Sequence, residues 1–168
     1  MNIITLFLIV TGFAGVGPAP SFQALAQAVV QTMRATGEQA ARQVPSGPVF
    51  IDMASFDAAA KSLGEPPIDH LQLVQSVGAD SKPGLRADAI LRTQASGRHR
   101  AEVSNDGMYI TVISATRTAA GVQVIAEVNW TDRRPSGAAA IGTHRMRLSF
   151  APINNKWVLQ KSETLMQT

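Results

Sequence analysis

The sequence predicts a single α+β domain, with helices in its first half and an antiparallel sheet in its second half. Apolar residues recur at helical spacing after Ser21, whereas short runs of period-two alternation follow one another from Arg86 onward. The 168 residues, 45% of them hydrophobic and 16% charged, are typical of one globular domain. Helices followed by a meander of about six strands favour a sheet curled over the N-terminal helix.

The first 26 residues have the features of a signal peptide. The segment Ile3–Val16 carries no charge and spans about 21 Å as a helix, which is shorter than the ~30 Å hydrocarbon core of a bilayer. Beyond the prolines at 18 and 20, Ala24-Leu25-Ala26 places small residues at the −3 and −1 positions of a signal peptidase site. We therefore expect an exported precursor with residues 1–26 removed and one domain over 27–168. The alternative is an uncleaved membrane anchor, because Lys and Arg are absent before Arg34.

Two helices are predicted before residue 65. Ser21 can cap the first helix, which reaches toward Gln43 and has one apolar face formed by Phe22, Leu25, Val29 and Met33. The apolar run within residues 48–52 predicts a short edge strand. Ser55 is the predicted N-cap of a second helix that ends at Gly64. Residues 65–83 suit a helix or a strand equally well.

The predicted strands are separated by turn signals at Asn105–Gly107, Ala119–Gly121, residues 134–137 and Asn154-Asn155. The clearest strand is Val122–Trp130, in which apolar even-numbered residues face the core and Gln123, Glu127 and Asn129 face outward. The next strand, within residues 143–150, turns its even-numbered residues inward as well. In the last strand, Trp157 and Leu159 are predicted to face the core.

This order of elements resembles the cystatin-like and NTF2-like architecture, in which a concave sheet face often holds a pocket. The resemblance rests on element order alone. It therefore implies a fold but no function.

Composition and motifs exclude several classes of chemistry. Because the chain has no cysteine, it has no disulfides, no thiolate metal sites and no Cys nucleophile. It also lacks the phosphate-binding, zinc-protease and serine-hydrolase motifs, and we predict no cofactor and no metal. The net charge of +3 is small, the basic residues are scattered and aromatic residues are few, which argues against nucleic-acid binding. The adjacent pair Asp69-His70 is not evidence of a catalytic dyad, because neighbouring helical residues point to different faces.

One candidate ligand site lies at the end of the predicted sheet. A hairpin that pairs residues 122–130 with 143–150 places Val128 opposite His144 and Glu127 opposite Arg145. Continued alternation in the last strand then brings Lys161 or Glu163 beside His144 on the inner face, near Trp130. We predict Trp130, His144, Lys161 and Glu163 as ligand-binding residues. His144 and Glu163 are also the candidates for general-base catalysis, but neither is assigned as a catalytic residue from the sequence.

Three functional hypotheses follow from the sequence. The first is a non-enzymatic exported domain that binds a small molecule or a protein in the bacterial periplasm or outside the cell. The second is an NTF2-like enzyme that acts on a small molecule with His144 as general base. The third keeps the N-terminal segment as an anchor, so that the domain belongs to a membrane assembly.

Overall fold

A computed structural model describes residues 19–41, 49–77, 107–133 and 139–168. These residues form three helices, α1 (Phe22–Ala40), α2 (Met53–Ser62) and α3 (His70–Val77). They also form five strands, β1 (Val49–Ile51), β2 (Met108–Thr118), β3 (Gly121–Arg133), β4 (Ala139–Ile153) and β5 (Lys156–Gln167). The strands lie in one sheet in the order β1-β2-β3-β4-β5, in which only β1 and β2 run parallel. The predicted α+β class is thus confirmed.

Helix α1 covers one face of the sheet, as its apolar spacing predicts. Ser21 is its N-cap, with the hydroxyl oxygen accepting a hydrogen bond from the backbone N–H of Ala24 at 3.3 Å. All four residues of the predicted apolar face are buried. The helix ends at Ala40, before the predicted Gln43. Near this end Gly37 allows close packing, because a Cβ there would stand 2.7 Å from the Met108 sulfur.

The structure corrects the predicted start of α2. Asp52 is the N-cap, and its Oδ1 accepts from the backbone N–H of Ser55 at 3.3 Å. The Ser55 hydroxyl instead donates to the Asp52 carbonyl at 2.7 Å and accepts from the backbone N–H of Val112 at 3.0 Å. Ser55 therefore joins the helix to the sheet, and the predicted cap is wrong. Gly64, with φ +74°, follows the end of α2 near the predicted stop.

Of the ambiguous residues 65–83, residues 70–77 form helix α3, and residues 78–83 lie outside the described residues. At its N-terminus the backbone N–H of Gln72 donates a hydrogen bond to Oδ1 of Asp69 at 2.9 Å. Leu73 and Val77 are its buried residues. The predicted extended runs between residues 86 and 106, including most of the turn at Asn105–Gly107, lie outside the described residues. The described residues contain five strands, and the predicted number of about six is not confirmed.

The β3–β4 pair follows the predicted register, with Val128 opposite His144 and Glu127 opposite Arg145. Tight turns lie at Ala119–Gly121 and at Asn154-Asn155, where both asparagines have positive φ. The face of the sheet that contacts α1 is called the inner face, and it carries the even-numbered residues from Val122 to Trp130. These side chains share one core with buried residues from all three helices. The side chains of α1 therefore cover the middle of the inner face.

Trp157 connects strand β5 to the residues that precede helix α1. Its indole packs against the edge of the core and its Nε1–H lies 3.1 Å from the Pro20 carbonyl oxygen and 3.0 Å from that of Ser21. The start of β5 is thereby linked to the start of α1. The predicted inward direction of Trp157 is confirmed, but the residue is only partly buried. Leu159, which was also predicted to face the core, is exposed.

Candidate functional site

Strand β4 places His144 at the margin of the inner face, directly opposite Val128 as predicted. The His144 Nε2 lies 3.0 Å from the Thr164 hydroxyl oxygen on β5. Its Nδ1 is buried and has no hydrogen-bond partner among the described residues. Desolvation by burial lowers the pKa of His144 below its ordinary value, which favours the neutral ring.

Trp130 lies two pairs along β3 from Val128, but it offers little surface to a ligand. It is 4% exposed, and its indole lies over Gly142, the residue paired with it on β4. A Cβ at Gly142 would overlap the ring, so the glycine is needed for this close packing. Trp130 therefore contributes mainly to the core at this end of the sheet.

The predicted positions of Lys161 and Glu163 beside His144 are wrong. Lys161 is paired with Ser149 and Glu163 with Arg147, and both lie on the outer face, opposite the helices. Glu163 accepts a hydrogen bond there from Nη1 of Arg147 at 3.0 Å. The four predicted ligand-binding residues are thus divided between the two faces of the sheet and form no common site.

A β-bulge at Gln160 in β5 causes this change, and a second bulge follows at Leu165. Leu159 pairs with Phe150 whereas Lys161 pairs with the preceding Ser149, so Gln160 is an extra residue. Leu165 is a second extra residue between the paired positions Thr164 and Met166. Each extra residue reverses which residues of the strand face inward. Ser162 and Thr164 therefore occupy the inner face in place of Lys161 and Glu163.

The sequence reasoning missed a buried polar network on the outer face. Glu127 and Asn129 point outward as predicted, yet they are only 8% and 4% exposed. Oε2 of Glu127 lies 2.8 Å from Nε and 2.7 Å from Nη2 of Arg145, and its Oε1 accepts from Asn129 Nδ2 at 3.0 Å. Asn129 in turn accepts from the Thr143 hydroxyl at 2.7 Å. The opposed charges of residues 127 and 145 were a usable sequence signal, but their burial was not.

The outer face is buried near β1 and exposed near β5. Phe50 and Tyr109 stack on it with ring centroids 4.9 Å apart, and both side chains are buried. In β5, by contrast, ten of the twelve residues are exposed, so neither face of this strand is covered along most of its length. Accessible binding surface on the sheet is therefore concentrated at the β5 end.

Exposed apolar side chains are concentrated at the same end. Six large hydrophobic residues of the described part of the chain are exposed, and four of them lie on the β4–β5 hairpin: Ile153, Val158, Leu159 and Leu165. We call these four residues, together with Lys161 and Glu163, the hairpin surface. Strand β5 also lies at the end of the sheet and pairs only with β4 within the described residues. The hairpin surface thus includes both faces of β5, with Leu159 on the inner face and Val158, Lys161 and Glu163 on the outer face, together with a strand edge that no other described strand covers.

Other titratable groups form local structural contacts. His70 Nε2 lies 2.8 Å from Asp57 Oδ2, whereas Asp69 caps α3, so Asp69-His70 is not a dyad. Across the described ranges, no three His, Asp or Glu side chains are grouped closely enough to hold a metal ion. None of the helices in those ranges is both long and apolar enough to span a bilayer.

Comparison with known proteins gives no significant match to a family model, to a curated protein or to a solved structure. The hairpin surface and the His144 region are therefore the features from which a function is inferred.

Proposed function

We propose that this chain is an exported, non-enzymatic binding domain that recognises a protein partner through the hairpin surface. One observation carries the proposal: four of the six exposed large hydrophobic side chains in the described residues lie on this one hairpin. Scattered exposed hydrophobic residues are normal on a soluble domain, whereas a group of them is typical of an interaction site.

The open edge of β5 supports a protein partner. An edge strand presents unpaired backbone N–H and C=O groups, to which an extended segment of another chain can add as a further strand. In this mode the backbone hydrogen bonds supply affinity, and alternate side chains supply specificity. The inner face supports a small-molecule site less well, because side chains of α1 occupy its centre.

The location outside the cytoplasm and the finer architecture belong to the same proposal. An apolar segment of signal-peptide length and small residues at 24 and 26 support export to the periplasm or exterior. Retention of this segment as an anchor would attach the same domain to a membrane. The order of helices and strands supports a cystatin-like or NTF2-like arrangement of the domain.

Site-specific photo-cross-linking tests the proposed surface. A photoreactive phenylalanine analogue replaces Val158 on the hairpin surface, and the matched control carries it at Thr116, an exposed outer-face position on β2. We expect discrete cross-linked species, identified by mass spectrometry in the envelope fraction, from position 158 but not from position 116. Equal cross-linking at both positions, or none at 158, would contradict the proposal.

A second candidate function is general-base chemistry at His144. The observation in its favour is the buried Nδ1, which becomes an available acceptor when Nε2–H donates to Thr164. Glu163 has no part in this version, because it lies on the other face. A thermal-shift screen with small hydrophobic carbonyl compounds tests it on the native chain and on His144→Gln. Stabilisation of the native chain alone would support the site, and equal or absent shifts would reject it.

A further inference from the structure

We infer that the partner of the hairpin surface is a second copy of this chain, bound through antiparallel pairing of the two β5 edges. The inference rests on the proposed function and adds the identity of the partner. The pairing is centred on Ser162, so that Ser162 lies opposite Ser162 of the partner subunit. Charge complementarity and the positions of the bulges support this register.

Charge selects the register. A two-fold axis normal to the sheet keeps each side chain on its own face, so pairing is centred on a residue. An axis at Lys161 would oppose two ammonium groups, and an axis at Glu163 would oppose two carboxylates, both of which are destabilising. An axis at Ser162 places Lys161 opposite Glu163 of the partner subunit, and does so twice. Lys161 and Glu163 lie on the same outer face, as this pairing requires.

The ion pairs of the monomer are compatible with this arrangement. Among the described residues Lys161 forms no ion pair, so its ammonium is available to a partner. Glu163 contacts Arg147 at 3.0 Å through Oε2. A carboxylate can accept several hydrogen bonds, so it can serve Arg147 and the partner's Lys161 together.

The bulges match in the same register. An isolated bulge on an edge strand normally hinders further pairing. Here the extra residues Gln160 and Leu165 lie on opposite sides of Ser162. Each segment that contains an extra residue therefore faces a segment of the partner that also contains one. Beyond the bulges Val158 lies opposite Met166 of the partner subunit, and both positions are on the outer face.

A cysteine substitution tests this geometry cleanly, since the chain contains no other thiol. Opposite residues of antiparallel strands have Cα atoms about 4.5–5.5 Å apart, within the range that a disulfide spans. We expect full-length Ser162→Cys to form a covalent dimer under mild oxidation. The matched control is Gln160→Cys on the same exposed strand, whose two copies would be separated by about four residues, or roughly 13 Å. We expect at least about a five-fold lower dimer yield from this control.

Charge exchange provides the second test, in the Ser162→Cys background. Lys161→Glu or Glu163→Lys alone opposes like charges and should reduce the yield of the dimer several-fold. The double exchange restores opposite charges and should restore the yield. A monomeric Ser162→Cys protein with an unchanged urea midpoint would overturn the inference, as would equal dimer yield from Gln160→Cys or from the single exchanges. If the analogue at position 158 then captures a different protein, the proposed function stands and only the second copy is rejected.

Discussion

Cleavage after Ala26 would remove part of the core that α1 forms with the sheet. Phe22 is 6% exposed, Leu25 1% and Ala26 0%, and all three belong to the main apolar core. The N-cap Ser21 would be lost with them, and the indole N–H of Trp157 would lose both of its carbonyl acceptors. A chain that begins at Gln27 is therefore expected to be much less stable than one that begins at Ala19.

The magnitude follows from the residues removed. Truncation of a buried Phe costs about 3–5 kcal/mol and of a buried Leu about 2–5 kcal/mol, and loss of a serine cap costs about 1 kcal/mol. Even the lower ends of these ranges together exceed about 5 kcal/mol, which is the full stability of a marginal domain. We expect the form that begins at Gln27 to be largely unfolded at 25 °C.

Urea unfolding of the two forms, monitored by tryptophan fluorescence, measures the difference in their free energies of unfolding. The form that begins at Ala19 should show a cooperative transition, and the form that begins at Gln27 should show none or a strongly lowered midpoint. Free energies of unfolding within about 1 kcal/mol of each other would refute the reasoning. Intact-mass analysis of the exported product then decides whether processing occurs after Ala26, as the sequence predicts, or leaves the first turn of α1 in place.

Three further predictions concern single side chains. Trp157→Ala should lower the free energy of unfolding, measured in urea melts, by about 2–3 kcal/mol, which is less than the loss expected for a fully buried tryptophan. Trp157→Phe should recover part of this loss, and a change under about 1 kcal/mol for Trp157→Ala would contradict the contact with Pro20. Gly142→Ala should lower the free energy of unfolding by about 1–3 kcal/mol and alter the near-ultraviolet circular dichroism of Trp130, because the new Cβ overlaps the indole. An unchanged spectrum and an unchanged stability would contradict this packing. His144→Gln should remove a pH dependence of stability, because the pKa of His144 is lower in the folded chain and the unfolded chain binds more protons as the pH falls below about 6.5. The native chain should therefore lose stability relative to the variant between pH 7.5 and 5. A constant difference in free energy of unfolding between the two proteins would exclude this titration.

The candidate site shows where prediction from the sequence failed. Pairing of Val128 with His144 and of Glu127 with Arg145 was predicted correctly, because the alternation of both strands fixes the two pairs together. The hydrogen-bond partner of His144 on β5 was not, because the bulge at Gln160 brings Thr164 to the inner face in place of Glu163. The extra residues are Gln160 and Leu165, and neither is a glycine that would mark a bulge in the sequence.

Local periodicity was sufficient to predict the α+β class, the buried face of α1 and the alternation of β3 and β4, because burial imposes that periodicity. The folded structure was needed to establish which face Lys161 and Glu163 occupy, that Asp52 caps α2 and that Glu127 is buried on the outer face. These features depend on register shifts and on contacts between distant segments. A period of two residues reports which side chains share a face only until an extra residue enters the strand, and it contains no information on what covers that face.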